Sequence, residues 1–105
     1  MYTRLFFGEI QPGKAAEAWR VLEEFTHRVR RQKGCVLNQV LQNGNDIVGI
    51  TTWETKEDLA AYADGEVARD LFKRITPLFM GMPTVKTFEV KLNLYDATAL
   101  KPITG

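Results

Sequence analysis

Residues Asp46–Tyr62 read DIVGITTWETKEDLAAY, a strand that runs straight into a helix. Asp46 to Thr52 is short, rich in β-branched residues and bounded by a turn signal, the pattern of a buried strand. Trp53 closes it. Thr55 has the character of an N-cap, because its hydroxyl can accept from the free N–H groups of the next turn. Asp58 can reach back to the Thr55 N–H, and Glu57 and Asp58 both suit the positive end of the helix dipole. A large indole therefore stands where sheet becomes helix, which is where a small α+β domain opens a pocket.

Upstream, Cys35–Gln42 (CVLNQVLQ) reads as a strand with Leu37 and Leu41 on one face and Val36, Asn38 and Val40 on the other. The tight-turn signal Asn43-Gly44-Asn45-Asp46 pairs it antiparallel with Ile47–Thr52. Before it, Lys14–Lys33 is the clearest helix: Ala18, Leu22, Phe25 and Val29 form one stripe, with Trp19 at its edge. His27 falls nearly opposite, among Arg20, Glu23, Glu24 and Arg31, so the sole histidine is expected in solvent, where it has no site in which to act as a base. Gly34 ends this helix. The chain starts with a strand, Tyr2–Ile10 (YTRLFFGEI), that puts Leu5 and Phe7 on one face and Tyr2, Phe6 and Ile10 on the other. Gln11-Pro12-Gly13 breaks it.

Downstream, Leu59, Tyr62 and Ala63 form one stripe and Val67, Leu71 and Ile75 another, rotated by about a quarter turn at the ideal ~100° per residue. A bend or break is therefore expected at Asp64-Gly65, with a second helical piece to about Arg74 and a stop at Pro77. Leu78–Pro83 (LFMGMP) is an adaptable apolar loop that either lines a pocket or plugs the core or packs on a partner. Val85–Tyr95 (VKTFEVKLNLY) alternates as a last strand, with Phe88, Val90, Leu92 and Leu94 on one side. Ala97–Gly105 reads as a tail that frays or docks on another subunit.

With 105 residues the chain holds one domain, here 1–95 with a tail at 96–105. A hydrophobic content of 45% and a charged content of 26% are those of a globular protein in water. A net charge of +1 gives no reason to expect nucleic acid or an anionic membrane as partner. Arg28, Arg30, Arg31 and Lys33 end a helix, where the dipole favours cations. Cys35 is alone, which excludes an intramolecular disulfide. No leader and no apolar run near the ~20 residues of a membrane helix are present, and this points to the cytoplasm.

The order strand, helix, strand, strand, helix, strand is the ferredoxin-like split βαβ plan: an α+β domain with a four-stranded antiparallel sheet and helices on one face. The face left bare is expected to carry Tyr2, Phe6 and Ile10, with Val36 and Val40. That is more apolar surface than a monomer tolerates, so a second copy is expected to cover it in a two-fold dimer.

This plan, the Pro12-Gly13-Lys14 helix entry and above all the block Trp53-Glu54-Thr55-Lys56-Glu57-Asp58-Leu59 followed by Tyr62 resemble the antibiotic biosynthesis monooxygenase family of dimeric α/β-barrel proteins, over roughly residues 2–95. The resemblance implies a cofactor-independent oxygenase that converts a phenol, hydroquinone or polyketide-type aromatic, with the substrate supplying electrons to dioxygen. The chain likewise shows no G-x-G-x-x-G, Walker loop or His–Glu cluster.

On that reading Trp53 stacks on the substrate, Tyr62 or Asn38 hydrogen-bonds its phenol, and Lys73 or Arg69 favours the phenolate. Phe72, Met80 and Met82 help to line the substrate site. Gly49 and Leu59 stand where the polyketide-oxidising type has an asparagine and a tyrosine, and Lys73 matches its later arginine in charge only. The Asn, Trp and His set of haem-degrading relatives has no match, since its tryptophan and histidine fall on Tyr62 and Phe72. The residues equally fit other roles: Trp53 as a core anchor, Tyr62 as core with its hydroxyl at the rim, Asn38 satisfying backbone groups, and Arg69 and Lys73 on a solvated face. The alternative function is therefore a non-catalytic dimer that binds a hydrophobic small molecule or serves as an accessory subunit.

Overall fold

The computed structural model describes residues 1–94, so Tyr95 and the expected tail lie outside the described part. The strands are β1 (Tyr2–Glu9), β2 (Cys35–Asn43), β3 (Asp46–Trp53) and β4 (Thr84–Glu89). The helices are α1 (Ala15–Arg30), α2 (Lys56–Ala63) and α3 (Glu66–Ile75), followed by a 3₁₀ turn at Thr76–Leu78. The sheet order is β2-β3-β1-β4 and every pair is antiparallel. This is the split βαβ plan, with the second helix in two pieces.

Directly opposed residues of an antiparallel pair share a face, so the register sorts the sheet into rows. One face carries Val40–Gly49–Phe6–Val85, Asn38–Thr51–Arg4–Thr87 and Cys35–Trp53–Tyr2–Glu89. The other carries Leu41–Val48–Phe7–Thr84, Gln39–Ile50–Leu5–Lys86 and Leu37–Thr52–Thr3–Phe88. A bulge between Cys35 and Leu37 keeps Cys35 and Asn38 on one face although they are an odd number of residues apart. The extra residue shifts the phase of the alternation by one.

The helices cover the first of these faces. Ile10 and Ile47 pack with Ala18, Val21, Leu22 and Phe25 of α1 and with Ile75, Leu78 and Phe79. Trp53 packs with Val29, Cys35, Leu59, Tyr62 and Ala68. The expectation for the bare face is thereby corrected except at Val36, which is exposed at the bulge. Tyr2, Phe6, Ile10 and Val40 lie under the helices, and the uncovered set is Leu5, Phe7, Leu37, Leu41, Val48, Ile50 and Phe88. Phe7, Leu41 and Phe88 are 38%, 48% and 52% exposed. Alternation separates two apolar sets but carries no sign saying which of them meets the helices.

Thr55 caps α2 as expected, its Oγ1 accepting from Asp58 N at 3.0 Å. The Asp58 side chain packs against Gly34 instead of completing a capping box. The break falls at Asp64-Gly65, where a Cβ would meet the Ala61 carbonyl oxygen at 2.8 Å. The last strand is shorter than its alternation suggests. Tyr2 pairs with Glu89 and Val90 N donates to Met1 O at 2.9 Å, the last contacts of this ladder. In the loop after α3, Leu78 and Phe79 plug the core, tied by Met80 N to Glu9 O and by Gln11 Nε2 to the Pro77 and Phe79 carbonyls.

Gly34 has φ +81°, and a side chain there would collide with the Asp58 carboxylate; Gly13 has φ +83° but open space around it. Gly13→Ala should therefore cost about 1 kcal/mol of left-handed strain. Gly34→Ala should cost about 2–4 kcal/mol, because overpacking adds to the same strain. Urea denaturation of the two variants measures the difference.

Candidate functional site

Between the sheet and the helices lies one apolar cleft. Its floor is Arg4, Phe6, Asn38, Val40, Gly49 and Thr51 of the strands; Leu22, Phe25, Thr26 and Val29 of α1 form one wall, and Tyr62, Leu71 and Phe72 form the other. Water can occupy about 50 Å³ of it, whereas a cavity that takes benzene measures about 150 Å³. The cleft as it stands is therefore too small for an aromatic ring unless part of the wall is displaced. Phe25 and Tyr62 are buried and fixed, while Phe72 and Arg4 are only half-buried.

The polar groups of the cleft form one row across the sheet. Arg4 and Asn38 flank Thr51 on the two neighbouring strands. The Arg4 guanidinium lies 5.5 Å from the Tyr62 ring centroid and 5.8 Å from that of Phe72. Its Nη1 is buried and has no hydrogen-bond partner among the described residues. A buried, unpaired donor on a cation is costly, and it is the group in the cleft with most to gain from an anion or a polarised oxygen. Asn38 Nδ2 donates to the Thr26 carbonyl at 2.9 Å, which fixes the side chain against α1. Thr51 Oγ1 accepts from Trp53 Nε1 at 2.9 Å.

Tyr62 stacks on Trp53, with centroids 4.8 Å apart and planes 20° from parallel. Burial pushes the Tyr62 phenol above its ordinary value; the Arg4 charge pulls the other way, and Cys35 adds a smaller upward push. The phenol therefore stays protonated at neutral pH and presents a hydrogen-bond donor. Cys35 is also raised, by burial against the opposing charge of Arg30, and behaves as a small apolar core residue.

Of the residues singled out in the sequence, Tyr62, Asn38 and Phe72 meet in this cleft. Trp53 does not line it. The indole is fully buried behind Tyr62, so it supports the site without offering a face to a ligand. Lys73 and Arg69 lie outside the lining, both exposed, and Arg69 Nη1 donates to the Asp64 carbonyl at the end of α2. Met80 and Met82 are 56% and 76% exposed and also lie outside it. His27 is exposed on α1, as expected.

The residue that sequence reasoning missed is Arg4. Its signal was present: a cation inside the alternating set Tyr2, Phe6, Ile10, once that set is placed under the helices. Among the described residues no three or more His, Cys, Asp or Glu side chains are grouped to hold a metal ion, and no helix is long and apolar enough to cross a membrane.

The sequence profile of the family described as Antibiotic biosynthesis monooxygenase matches residues 1–74. Among solved structures, an antibiotic biosynthesis monooxygenase superposes with a TM-score of 0.77 at 16% identity, covering 86% of this chain and 98% of its own. A conserved protein from Methanosarcina mazei Go1 gives 0.79 at 14% identity, covering 87% and 94%. A protein of unknown function from Nitrosomonas europaea gives 0.80 at 16% identity, covering 91% and 94%. At such identities the likeness is one of fold. No curated protein matches the sequence.

Arg4→Met removes the charge that opposes burial, so the Tyr62 phenol should titrate at still higher pH in an ultraviolet absorbance titration, with Tyr62→Phe assigning the transition. The folded phenol keeps its proton at a pH where the unfolded chain, with its ordinary value of about 10, has lost it. Its contribution to stability is therefore intact below about pH 10 and falls as pH rises through the folded value. Denaturation at graded alkaline pH should show a shallower loss in Tyr62→Phe.

Proposed function

Because the chain belongs to the antibiotic biosynthesis monooxygenase family, we propose that it is a cofactor-independent monooxygenase acting on a small phenolic or hydroquinone-type aromatic in the cleft between sheet and helices. The reading is carried by Arg4, whose buried Nη1 lacks a partner among the described residues in a mostly apolar cleft beside Tyr62 and Phe72. A phenol bound there meets a cation and a phenolic donor, which lower its pKa and favour the electron-rich phenolate. The proton lost goes to solvent. The ionised ring supplies the electrons: a ring C–H becomes C=O, one atom of dioxygen enters the product and the other leaves as water. Phe72, Leu22 and Val40 hold the ring and exclude water. Tyr62 donates to the oxygen that carries charge, and Asn38, anchored through Thr26, orients the ring.

We further infer that the face bearing Leu5, Phe7, Leu41, Val48, Ile50 and Phe88 is buried against a second copy in a two-fold dimer. Each protomer keeps its own cleft, because the cleft lies on the opposite face of the sheet.

A non-catalytic binding or accessory role is the second reading. Leu59 favours it, being buried beside Trp53 and offering no polar group.

Oxygen consumption with a panel of hydroquinones and anthrones separates the two. The enzyme reading expects uptake that persists in a chelator. Arg4→Met should lower kcat/KM about 10- to 100-fold, the factor that about 1.5–3 kcal/mol of charge-assisted contact represents. Thermal stabilisation by the same compounds without any oxygen uptake is the result expected of the binder. For the dimer, sedimentation at micromolar concentration should give twice the chain mass, and Phe7→Asp combined with Leu41→Lys should give the monomer.

A further inference from the structure

Gly49 sits in the middle of β3, paired with Phe6 on one side and Val40 on the other, on the floor of the cleft. A glycine inside a strand weakens it, since it brings no side chain to pack and loses more backbone freedom than other residues. Other glycines of this chain have visible reasons to be glycine. A Cβ at Gly8 would collide with the Phe79 ring, one at Gly65 would press on a backbone carbonyl, and Gly13, Gly34, Gly44 and Gly81 have positive φ. Gly49 has neither reason. Its φ is not positive, and the three atoms nearest to an added Cβ all belong to Phe6, at 3.6, 3.7 and 3.9 Å, which is ordinary van der Waals contact.

What the missing side chain leaves is room over the sheet, in a cleft where water can occupy only about 50 Å³. Phe6 cannot swing into that room at no cost, because it packs edge-on to Phe72 at 5.4 Å and against Phe79 at 5.7 Å.

We propose that Gly49 is the size-determining residue of the cleft: its bare backbone is the seat for the outer ring of a fused aromatic ligand, and the larger the side chain there, the fewer fused rings the site accepts. This rests on the small-aromatic reading of the cleft given above. The flat peptide surface of Gly49 and the Phe6 ring edge form an apolar ledge beside the polar row of Arg4, Thr51 and Asn38. The phenolic end of a ligand is held at that row, and additional fused rings extend over Gly49 toward Leu22 as the half-buried Phe72 side chain gives way.

The test uses wild type, Gly49→Ala and Gly49→Val, with 1,4-hydroquinone, naphthalene-1,4-diol and anthrone as one-, two- and three-ring probes. Anaerobic calorimetry gives affinities, an oxygen electrode gives turnover, and circular dichroism with thermal melting checks the fold. The expected result is that both variants keep or raise the wild-type Tm. Gly49→Ala should weaken anthrone at least tenfold while hydroquinone changes less than twofold, and Gly49→Val should extend the loss to the two-ring probe. Folded variants with the wild-type ratio of anthrone to hydroquinone affinity overturn the proposal and leave the proposed function standing. Size selection by residue 49 without oxygen uptake upholds the proposal and removes the monooxygenase reading. A wild-type protein that binds none of the three probes overturns both.

Discussion

The stack of Trp53 on Tyr62 joins the two layers of this domain, and much of the cleft follows from it. Trp53 ends the third strand and Tyr62 lies on the next helix, so one contact sets the distance and tilt of that helix over the sheet. The indole N–H is satisfied by Thr51 one row further along, which leaves the large ring free to be fully dry. A buried tryptophan of this kind typically contributes about 3–5 kcal/mol when truncation is used as the measure. Its loss would therefore move Tyr62, the neighbouring helix and the cleft together. The residue that dominates the sequence motif lies behind Tyr62 and outside the cleft lining, so a Trp53 variant perturbs the cleft through its neighbour.

The second determinant is the row formed by Asn38, Thr51 and Arg4. Each of the three residues is unremarkable in its own strand, and only the register makes them neighbours. The bulge at Val36 is essential to it. Counted straight from Cys35 without the extra residue, Asn38 would point to the uncovered face and the cleft would lose its anchor on the first helix. Arg4 is held with one nitrogen buried and without a hydrogen-bond partner among the described residues, a costly state. Stability has been given up at that point, and a group held at such cost is a reasonable place to look for function.

The strand–helix junction, the turn at Asn43–Asp46, the break at Asp64-Gly65 and the split βαβ order were all legible, because each rests on local signals: an N-cap threonine, a tight-turn tetrapeptide, a phase jump between two apolar stripes. What was not legible depends on relations between distant segments. Both alternating sets of the first strand are apolar, so periodicity could not say which of them meets the helices, and the wrong assignment hid Arg4 in plain view. The extent of the last strand is that of its ladder with the first strand, which its own alternation does not reveal. Lys73 and Arg69 were attractive as cations near an aromatic helix, but a helix of 3.6 residues per turn turns them to solvent once Leu71 and Ile75 face inward. Met80 and Met82 were separated from Leu78 and Phe79 by the backbone ties to Glu9 and Gln11, which no composition reveals.

The break at Gly65 has one more consequence. Tyr62 and Phe72 would share a rigid rod if the helix were continuous; divided, they can respond to different forces. Tyr62 is pinned by the indole beneath it. The segment carrying Phe72 is held to the first helix from outside by the ion pairs Arg28–Asp70 and Arg74–Glu24, on partly exposed side chains. Such pairs are individually weak, about 0–1 kcal/mol, and fade with added salt. The seating of the Phe72 segment against the first helix is thus sensitive to the ionic strength of the surroundings, while Tyr62, stacked on a fully buried indole, is held by a contact that salt does not reach. Two neighbouring parts of one wall therefore answer to different solution conditions.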